Sequence, residues 1–291
     1  MTGARRLAAA LLALAVTLAA VPAAAQPPIW IVRRGASTVI LFGSIHLLPT
    51  GLDWRPPALT AALAKADELV FELPIDLATD AQAVRLSRRR GVFKPSDRLA
   101  AHLTAEQQAR LDRVATFLSA SPAALDRMRP WLAEISLSLL ADAKEGAVAS
   151  QGVEEQIQGL APSTARRRAF ETVEQQIGFL AGAPATDQIA SLDETLHEIE
   201  ERPDVYRRMV AEWMSGDLAG LQTEALDPLQ RVSPALYRRL ITDRSRRWAG
   251  ALRLRLDRPG TVVVIVGVGH LIGPAGVPAL LRAKGLEVEG P

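Results

Sequence analysis

The chain has 291 residues, with 34 basic and 32 acidic side chains, four histidines and no cysteine. With 48% apolar residues it can bury a sizeable core, as one large α/β domain or two small ones. The lack of cysteine excludes a disulfide framework, a thiolate nucleophile and a zinc–sulfur site. The near balance of charge leaves no broad field to attract nucleic acid or anionic lipid.

The N-terminus reads as a targeting segment. Arg5 and Arg6 precede the apolar run LAAALLALAVTLAAV, and PAAAQ then offers small residues at Ala23 and Ala25. This is the pattern of a secretory signal peptide, residues 1–25, cleaved before Gln26. It implies a periplasmic or secreted protein of bacterial type, with a single domain over residues 26–291. The apolar run is short for a span of roughly twenty residues, so no membrane span is expected after cleavage. Removing Arg5 and Arg6 takes the basic count from 34 to 32, equal to the acidic count. Oligomeric state is not legible.

PIWIVRR (28–34) and TVILFGSIH (38–46) read as two strands of a hairpin around the turn GAS. Pro57 opens a helix, and DELVFELP gives a short strand ending near Glu72. Residues 77 to 145 have mainly helical spacing, with Thr104 and Gln107 as a capping pair and Ser121 capping a second start. GVEEQIQGL reads as a short helix, and residues 167–171 as a brief strand before the helix VEQQIGFL. A mostly helical stretch over 185–223 breaks near MSGDL. Pro228 and Pro234 mark a loop, and LYRRLITDRSRRWAGALRLRL reads as one arginine-rich helix. PGTVVVIVGVGH (259–270) is β-branched and apolar on both faces, which suits a central strand. VPALLRAKG is a short helix, and LEVE a last edge strand.

LFGSIH (41–46) and IVGVGH (265–270) each end an apolar run with Gly-x-x-His, and together they use half of the histidines. A histidine leaving the C-terminal end of a strand stands where α/β sheets place ligands. Imidazole exchanges a proton near neutral pH or binds a divalent metal. His46 and His270 are therefore either one site or two ordinary strand-end histidines. Glu72 in VFELP, Glu171 in AFET, and Glu154 and Glu155 in GVEEQ are the carboxylates on offer. Ser44 shares a strand face with His46 but lacks a nucleophile-elbow motif, and no HExxH or P-loop is present. His102, His197 and the arginine runs read as surface features, and the five tryptophans as core anchors.

The ordered set of motifs resembles the TraB/PrgY/GumN family, whose animal relatives include the Tiki metalloproteases. The resemblance runs from PIWIVRRGASTVILFGSIHLLP through ADELVFELP, QGVEEQI, RRAFETVEQQI, EWMSGDLAGL and LITDRSRRWA to VVVIVGVGHLIG. It implies an erythromycin-esterase/ChaN-like α/β fold, a mixed sheet with flanking helices and a large helical insertion, with both histidines and the acids in one cleft. It also implies a metal-dependent hydrolase, most plausibly a peptidase, using a divalent metal ion such as manganese or cobalt, with zinc possible. In that reading His46, His270 and Glu72 hold the metal. Glu72 and Glu171 share the roles of third ligand and general base, in either order. Arg244 stabilises an oxyanion or fixes a carboxylate. The substrate is a peptide or another small molecule. A protein that sequesters such a ligand without turnover would use the same cleft. Glu154 replaces the family's Asp, Phe170 its Leu, and Ser245 its Asn.

Overall fold

Six strands form one mixed sheet: β1 (Ile29–Arg34), β2 (Ser37–Ser44), β3 (Glu68–Phe71), β4 (Arg166–Ala169), β5 (Gly260–Gly267) and β6 (Val288–Glu289), in the order β4-β3-β5-β2-β1-β6. The computed structural model describes residues 26–291, so the expected signal peptide lies outside the described residues. β4, β3, β5 and β2 are mutually parallel, while β1 pairs antiparallel with β2 and with β6. Helices fill the stretches between β3 and β4 and between β4 and β5, which gives the α/β class expected from the sequence. None among the described residues is long and apolar enough to cross a membrane.

β5 occupies the middle of the sheet, as its two-sided apolar pattern requires. Val262, Val263, Val264, Ile265 and Val266 are all buried. Each contributes about 1.5–3 kcal/mol relative to an exposed position, so the centre of the sheet is where displacement costs most. The five tryptophans are all buried. Trp213 also donates from Nε1 to the Gly43 carbonyl at 2.9 Å, tying the helix Val205–Ser215 to β2.

Three local readings shift. Pro228 and Pro234 do not make a loop: each opens a short helix, Asp227–Val232 and Pro234–Tyr237. Proline fits the first turn because its missing N–H is unneeded there. The long arginine-rich helix begins with a π-helical turn, Arg238–Thr242, before the regular helix Asp243–Arg255. Finally, β2 stops at Ser44, β4 at Ala169 and β5 at Gly267, so His46, Glu171 and His270 stand just past their strands, with His270 on the 3₁₀ turn Val268–His270.

The register of β2 against β5 puts Ser44 opposite Gly267 and Gly43 opposite Val266. The two Gly-x-x-His segments therefore leave the sheet side by side, and their glycines are matched to each other's neighbours. A Cβ on Gly43 would lie 2.8 Å from Val268 Cγ2 and 3.0 Å from its Cα. A Cβ on Gly267 would lie 3.2 Å from Glu72 Oε1 and 3.6 Å from His46 Nε2. Each glycine makes room for the opposite motif.

The segment GVEEQ is clamped against the first motif. Val153 N donates to the Ile45 carbonyl at 3.2 Å, and a Cβ on Gly152 would sit 2.1 Å from the His46 carbonyl oxygen. Backbone has little freedom to yield there, and overpacking costs about 1–3 kcal/mol. Gly152→Ala is expected to lower the thermal midpoint by several degrees, roughly 2–4 °C per kcal/mol at this size. Gly159→Ala, whose Cβ meets nothing within 4 Å, is the control and stays within about 0.5 kcal/mol of wild type. Equal midpoints for the two variants would show that the clamp is not tight.

Candidate functional site

Each of the four parallel strands delivers a side chain of interest at its C-terminal end. β2 leads to Ser44 and His46, β3 to Glu72, β4 to Glu171, and β5 to Gly267 and His270. The Glu171 amide donates to the Glu72 carbonyl at 3.0 Å, extending the β3–β4 pairing past the strand ends. The helix Asp243–Arg255 begins over the same edge and buries Arg244, Ser245, Trp248, Ala249 and Leu252 against the sheet. His46, Glu72, Arg244 and His270 line a cleft of about 470 Å³, and Glu171 is buried beneath them. Its walls are largely apolar, including Leu47, Met209, Leu226 and Ile241. Apolar walls around a few polar groups are the usual build of a small-ligand site.

Arg244 is the hub. Its Nε donates to Glu171 Oε1 and Oε2 at 2.9 and 3.1 Å, and its Nη2 to Glu171 Oε2 at 2.8 Å and Glu72 Oε2 at 2.6 Å. Its Nη1 donates to the Leu240 carbonyl at 3.1 Å and to His270 Nε2 at 3.0 Å. The Leu240 carbonyl lies within the π-helical turn. The guanidinium lies over Trp248, 4.8 Å from the ring centroid, with Phe179 at 5.7 Å. Burial opposes its charge, but Glu72 and Glu171 more than compensate and hold it protonated.

His270 is the neutral member. An arginine N–H can only donate, so Nε2 carries the lone pair and Nδ1 the proton, which faces Ser245 Oγ at 2.9 Å. Burial is the main cause that depresses its pKa to about 3. Trp248 packs against the ring at 4.3 Å between centroids. Ser245, which stands where the family pattern has Asn, thus orders this histidine.

Glu72 accepts three hydrogen bonds and keeps one lone-pair site on Oε1. Oε1 accepts from the Gly267 amide at 2.8 Å, and Oε2 from Gln176 Nε2 at 3.1 Å as well as from Arg244. Burial pushes its pKa up. The opposing pull of His270, Arg244 and His46, with the Gly267 hydrogen bond, wins and leaves it at about 2. With His270 neutral near pH 7, Arg244 and protonated His46 are the cations that act on it there. Unfolding would return His270 and Glu72 to ordinary values. Protons then bind the unfolded chain more readily, so stability is lost as pH falls, from about 6.5 toward 3 for His270 and from about 4.5 toward 2 for Glu72.

His46 behaves differently. Its Nδ1 lies 2.8 Å from Glu154 Oε1, which also accepts from Ser44 Oγ at 2.5 Å. The Glu154 carboxylate is the main cause that raises the His46 pKa to about 9. The side chain nevertheless keeps 62% of its surface open to cleft water. That water screens the pair, so the stability that goes with the rise is discounted; it is present below about pH 6.5 and lost as pH rises through about 9. Three carboxylates, Glu72, Glu154 and Glu171, face Arg244, protonated His46 and the more distant Arg247, 3.6 Å from Glu171 Oε1. The site is close to neutral overall.

The sequence expectation of a divalent ion held by His46, His270 and Glu72 requires free lone pairs converging on one point. Among the described residues no group of three or more His, Asp or Glu side chains is disposed to hold a metal ion. Both ring nitrogens of His270 are committed, to Arg244 and to Ser245. In this arrangement the expected three-ligand set does not fit such an ion. Glu154 and Gln176 are the partners that sequence reasoning placed less well. Spacing alone did not separate Glu154 from Glu155 in GVEEQ; the resemblance did, matching Glu154 to the family's Asp, but gave it no partner. The close approach at Gly152 is what turns it to His46.

The sequence profile of the TraB/PrgY/gumN family matches residues 28–290. The chain belongs to the TraB/PrgY/gumN family. Among curated proteins it is similar to "Uncharacterized protein YbaP" of Escherichia coli (strain K12), 26% identical over 257 residues, which cover 88% of this chain and 92% of the relative. The protein of the same description from Shigella flexneri matches with the same identity and coverage. No solved structure matches. The TraB/PrgY/gumN profile spans all four strand ends and the helix that carries Arg244, so the whole cleft lies inside the family region.

The His46–Glu154 pair has a spectroscopic consequence. The His46 ring is expected to lose its proton near pH 9, well above the ordinary value of about 6.5. His270 stays neutral down to about pH 3. In Glu154→Gln the His46 titration moves back toward 6.5. Proton NMR of the imidazole Cε1–H signals follows each ring; a wild-type His46 midpoint near 6.5 would remove the pairing.

Proposed function

We propose that the cleft hydrolyses an amide bond, with a peptide as the substrate class, and that His46 is the proton-exchanging group. One observation carries this reading: His46 is fixed at Nδ1 by Glu154, leaving Nε2 exposed to a 470 Å³ apolar-walled cleft beside Glu72. A ring oriented by a carboxylate on one nitrogen and free on the other is what general acid–base chemistry needs.

In this reading the protonated His46 Nε2 faces the substrate. Water held at the Glu72 carboxylate adds to the carbonyl carbon, and its proton passes to that carboxylate. The His46 proton moves to the nitrogen as the C–N bond breaks. Bulk water then returns His46 and Glu72 to their starting states. Arg244 acts through Glu72 and Glu171, keeping Glu72 ionised and both carboxylates oriented. Glu171, with Arg244 on both oxygens, is a positioning residue.

A second reading is favoured by a specific observation. Glu72 accepts three hydrogen bonds and has a pKa near 2, so it holds water better than it deprotonates it. A cleft with so weak a base also suits ligand capture without turnover.

A peptide-library cleavage assay read by mass spectrometry separates the two, run with and without added manganese, cobalt or zinc. Wild type is expected to cleave, and His46→Ala to lose about 10²–10⁴-fold, the usual weight of general acid–base catalysis. Because the acid form of His46 is required, activity falls as pH rises through about 9. In Glu154→Gln that alkaline limb moves to lower pH. Equal cleavage by wild type and His46→Ala would end the catalytic assignment; binding without cleavage would establish capture.

We also propose export, from the signal-like residues 1–25. The periplasmic fraction of a Gram-negative host expressing the full chain is expected to yield a protein beginning at Gln26, measured by intact mass. A product retaining Arg5 and Arg6 would overturn this.

A further inference from the structure

The cleft carries one charged side chain that the chemistry above does not use. Asp142 lies two residues before the end of the helix Pro130–Lys144 and lines the same cleft as His46, Glu72 and Arg244. Those three are paired within the protein. The Asp142 carboxylate accepts no hydrogen bond and joins no ion pair among the described residues, and burial alone raises its pKa, to about 6. It is ionised at neutral pH, half-buried and open to solvent on its cleft side, so it is available to a ligand without breaking a protein contact.

Asp142 and Tyr206 line the cleft together with His46 and Leu47. The phenol donates to the Leu47 carbonyl at 3.1 Å, next to His46 in the chain. Burial first, and then the charge of Asp142, push the Tyr206 pKa up to about 12. Asp142 therefore sits beside the segment that carries His46, on a wall contributed by the helical insertion. Asp142 and Tyr206 also border a smaller side pocket of about 60 Å³, whose other walls include Glu198 and the cations Lys144 and Arg202, neither of which pairs with Asp142. The cleft thus holds Arg244 and protonated His46 at its sheet side and a free acid where it meets this side pocket.

We propose that Asp142 is a specificity residue that selects ligands bearing a positively charged group, such as the lysine or arginine side chain of a peptide. An ammonium or guanidinium placed there would make a charge-assisted hydrogen bond to the one carboxylate of the cleft lining that has no partner among the described residues. The body of the ligand covers the apolar wall, and its carbonyl faces His46. This rests on the cleft being the ligand site and deepens the peptide reading. It does not require turnover.

The test uses a matched pair of blocked polyalanine heptapeptides, one with a central lysine and one with norleucine, of nearly equal length and apolar area. Affinities are measured by calorimetry at pH 7.5 and cleavage by mass spectrometry. Wild type is expected to bind the lysine peptide about tenfold more tightly, the ratio given by a charge-assisted hydrogen bond near the low end of its range. In Asp142→Asn that ratio falls to about one, and in Asp142→Glu it is largely kept, so loss of charge is separated from loss of fold. Asp97→Asn, remote from the cleft lining, keeps the wild-type ratio. Equal affinity of wild type for the two peptides, no binding of either, or a preference that survives in Asp142→Asn would each overturn the assignment of Asp142. Preferential binding without cleavage would instead support Asp142 and overturn the hydrolase reading.

Discussion

One guanidinium sets the terms for the site. Arg244 is buried and spends its donors on Glu72, Glu171, His270 and the Leu240 carbonyl. Without it two carboxylates would lie against each other in a low-dielectric edge of the sheet, and breaking a buried pair in this way costs about 3–5 kcal/mol. Its presence decides three further things. Glu72 is ionised at all ordinary pH. His270 is held as the tautomer with its lone pair toward Arg244. Glu171 is buried and locked, which makes it part of the frame. Lysine could not replace this residue, because no ammonium matches two carboxylates and an imidazole in one plane.

That hub exists because the chain brings four strand ends to one edge. Parallel pairing of β2, β5, β3 and β4 aligns their C-terminal ends, and the Ser44–Gly267 register fixes which residues meet. Shifting β5 by one residue would put Val266 or Val268 where Gly267 admits the His46 ring and the Glu72 carboxylate. The fully buried valine run of β5 holds that register, so core packing and site geometry are one constraint. The π-helical turn at Arg238–Thr242 belongs to the same logic. It inserts an extra residue just before Arg244, re-aiming the first turn of the following helix, and such insertions are frequent at functional sites.

Much of this was legible in the sequence. The apolar run from Val262 to Val266 marks a central strand, Pro57 and Thr104 mark helix starts, and the two Gly-x-x-His segments mark the site. The rest needed three-dimensional information. Glu154 and Glu155 are adjacent and chemically alike; the resemblance puts Glu154 at the family's Asp position, but its pairing with His46 is set by the fold, through the contact of Gly152 with the His46 carbonyl. The expectation that Arg244 fixes a carboxylate understated its reach, since contact with His270 depends on where the π-helical turn places the helix. Ser245 read as the loss of an amide, yet its hydroxyl meets His270 Nδ1. Asp142 carried no motif and lies in a helix whose pattern says only that it packs; its lack of a partner is a property of the cleft.

The two histidines were written by nearly the same motif and have been given opposite chemistry. Both follow Gly-x-x at the end of a parallel strand, and both sit within reach of Glu72 and Arg244. The difference lies in the second neighbour. His46 meets a carboxylate, Glu154, and keeps an open face, so it binds its proton up to about pH 9. His270 meets a cation, Arg244, and a hydroxyl, is closed in by Trp248, and stays neutral to about pH 3. The charge of His46 adds a little to the lowering of His270, but burial of His270 and the Glu154 carboxylate beside His46 are the larger causes of the gap. A pair of titratable groups whose surroundings drive their proton affinities apart can divide the labour of a reaction. Here the division leaves one ring to exchange protons with a ligand and the other to hold the frame. The local symmetry of the two motifs therefore ends at the sheet, and the function of the cleft depends on what breaks it: the Gly152 clamp that delivers Glu154 on one side, and the helix that delivers Arg244 on the other.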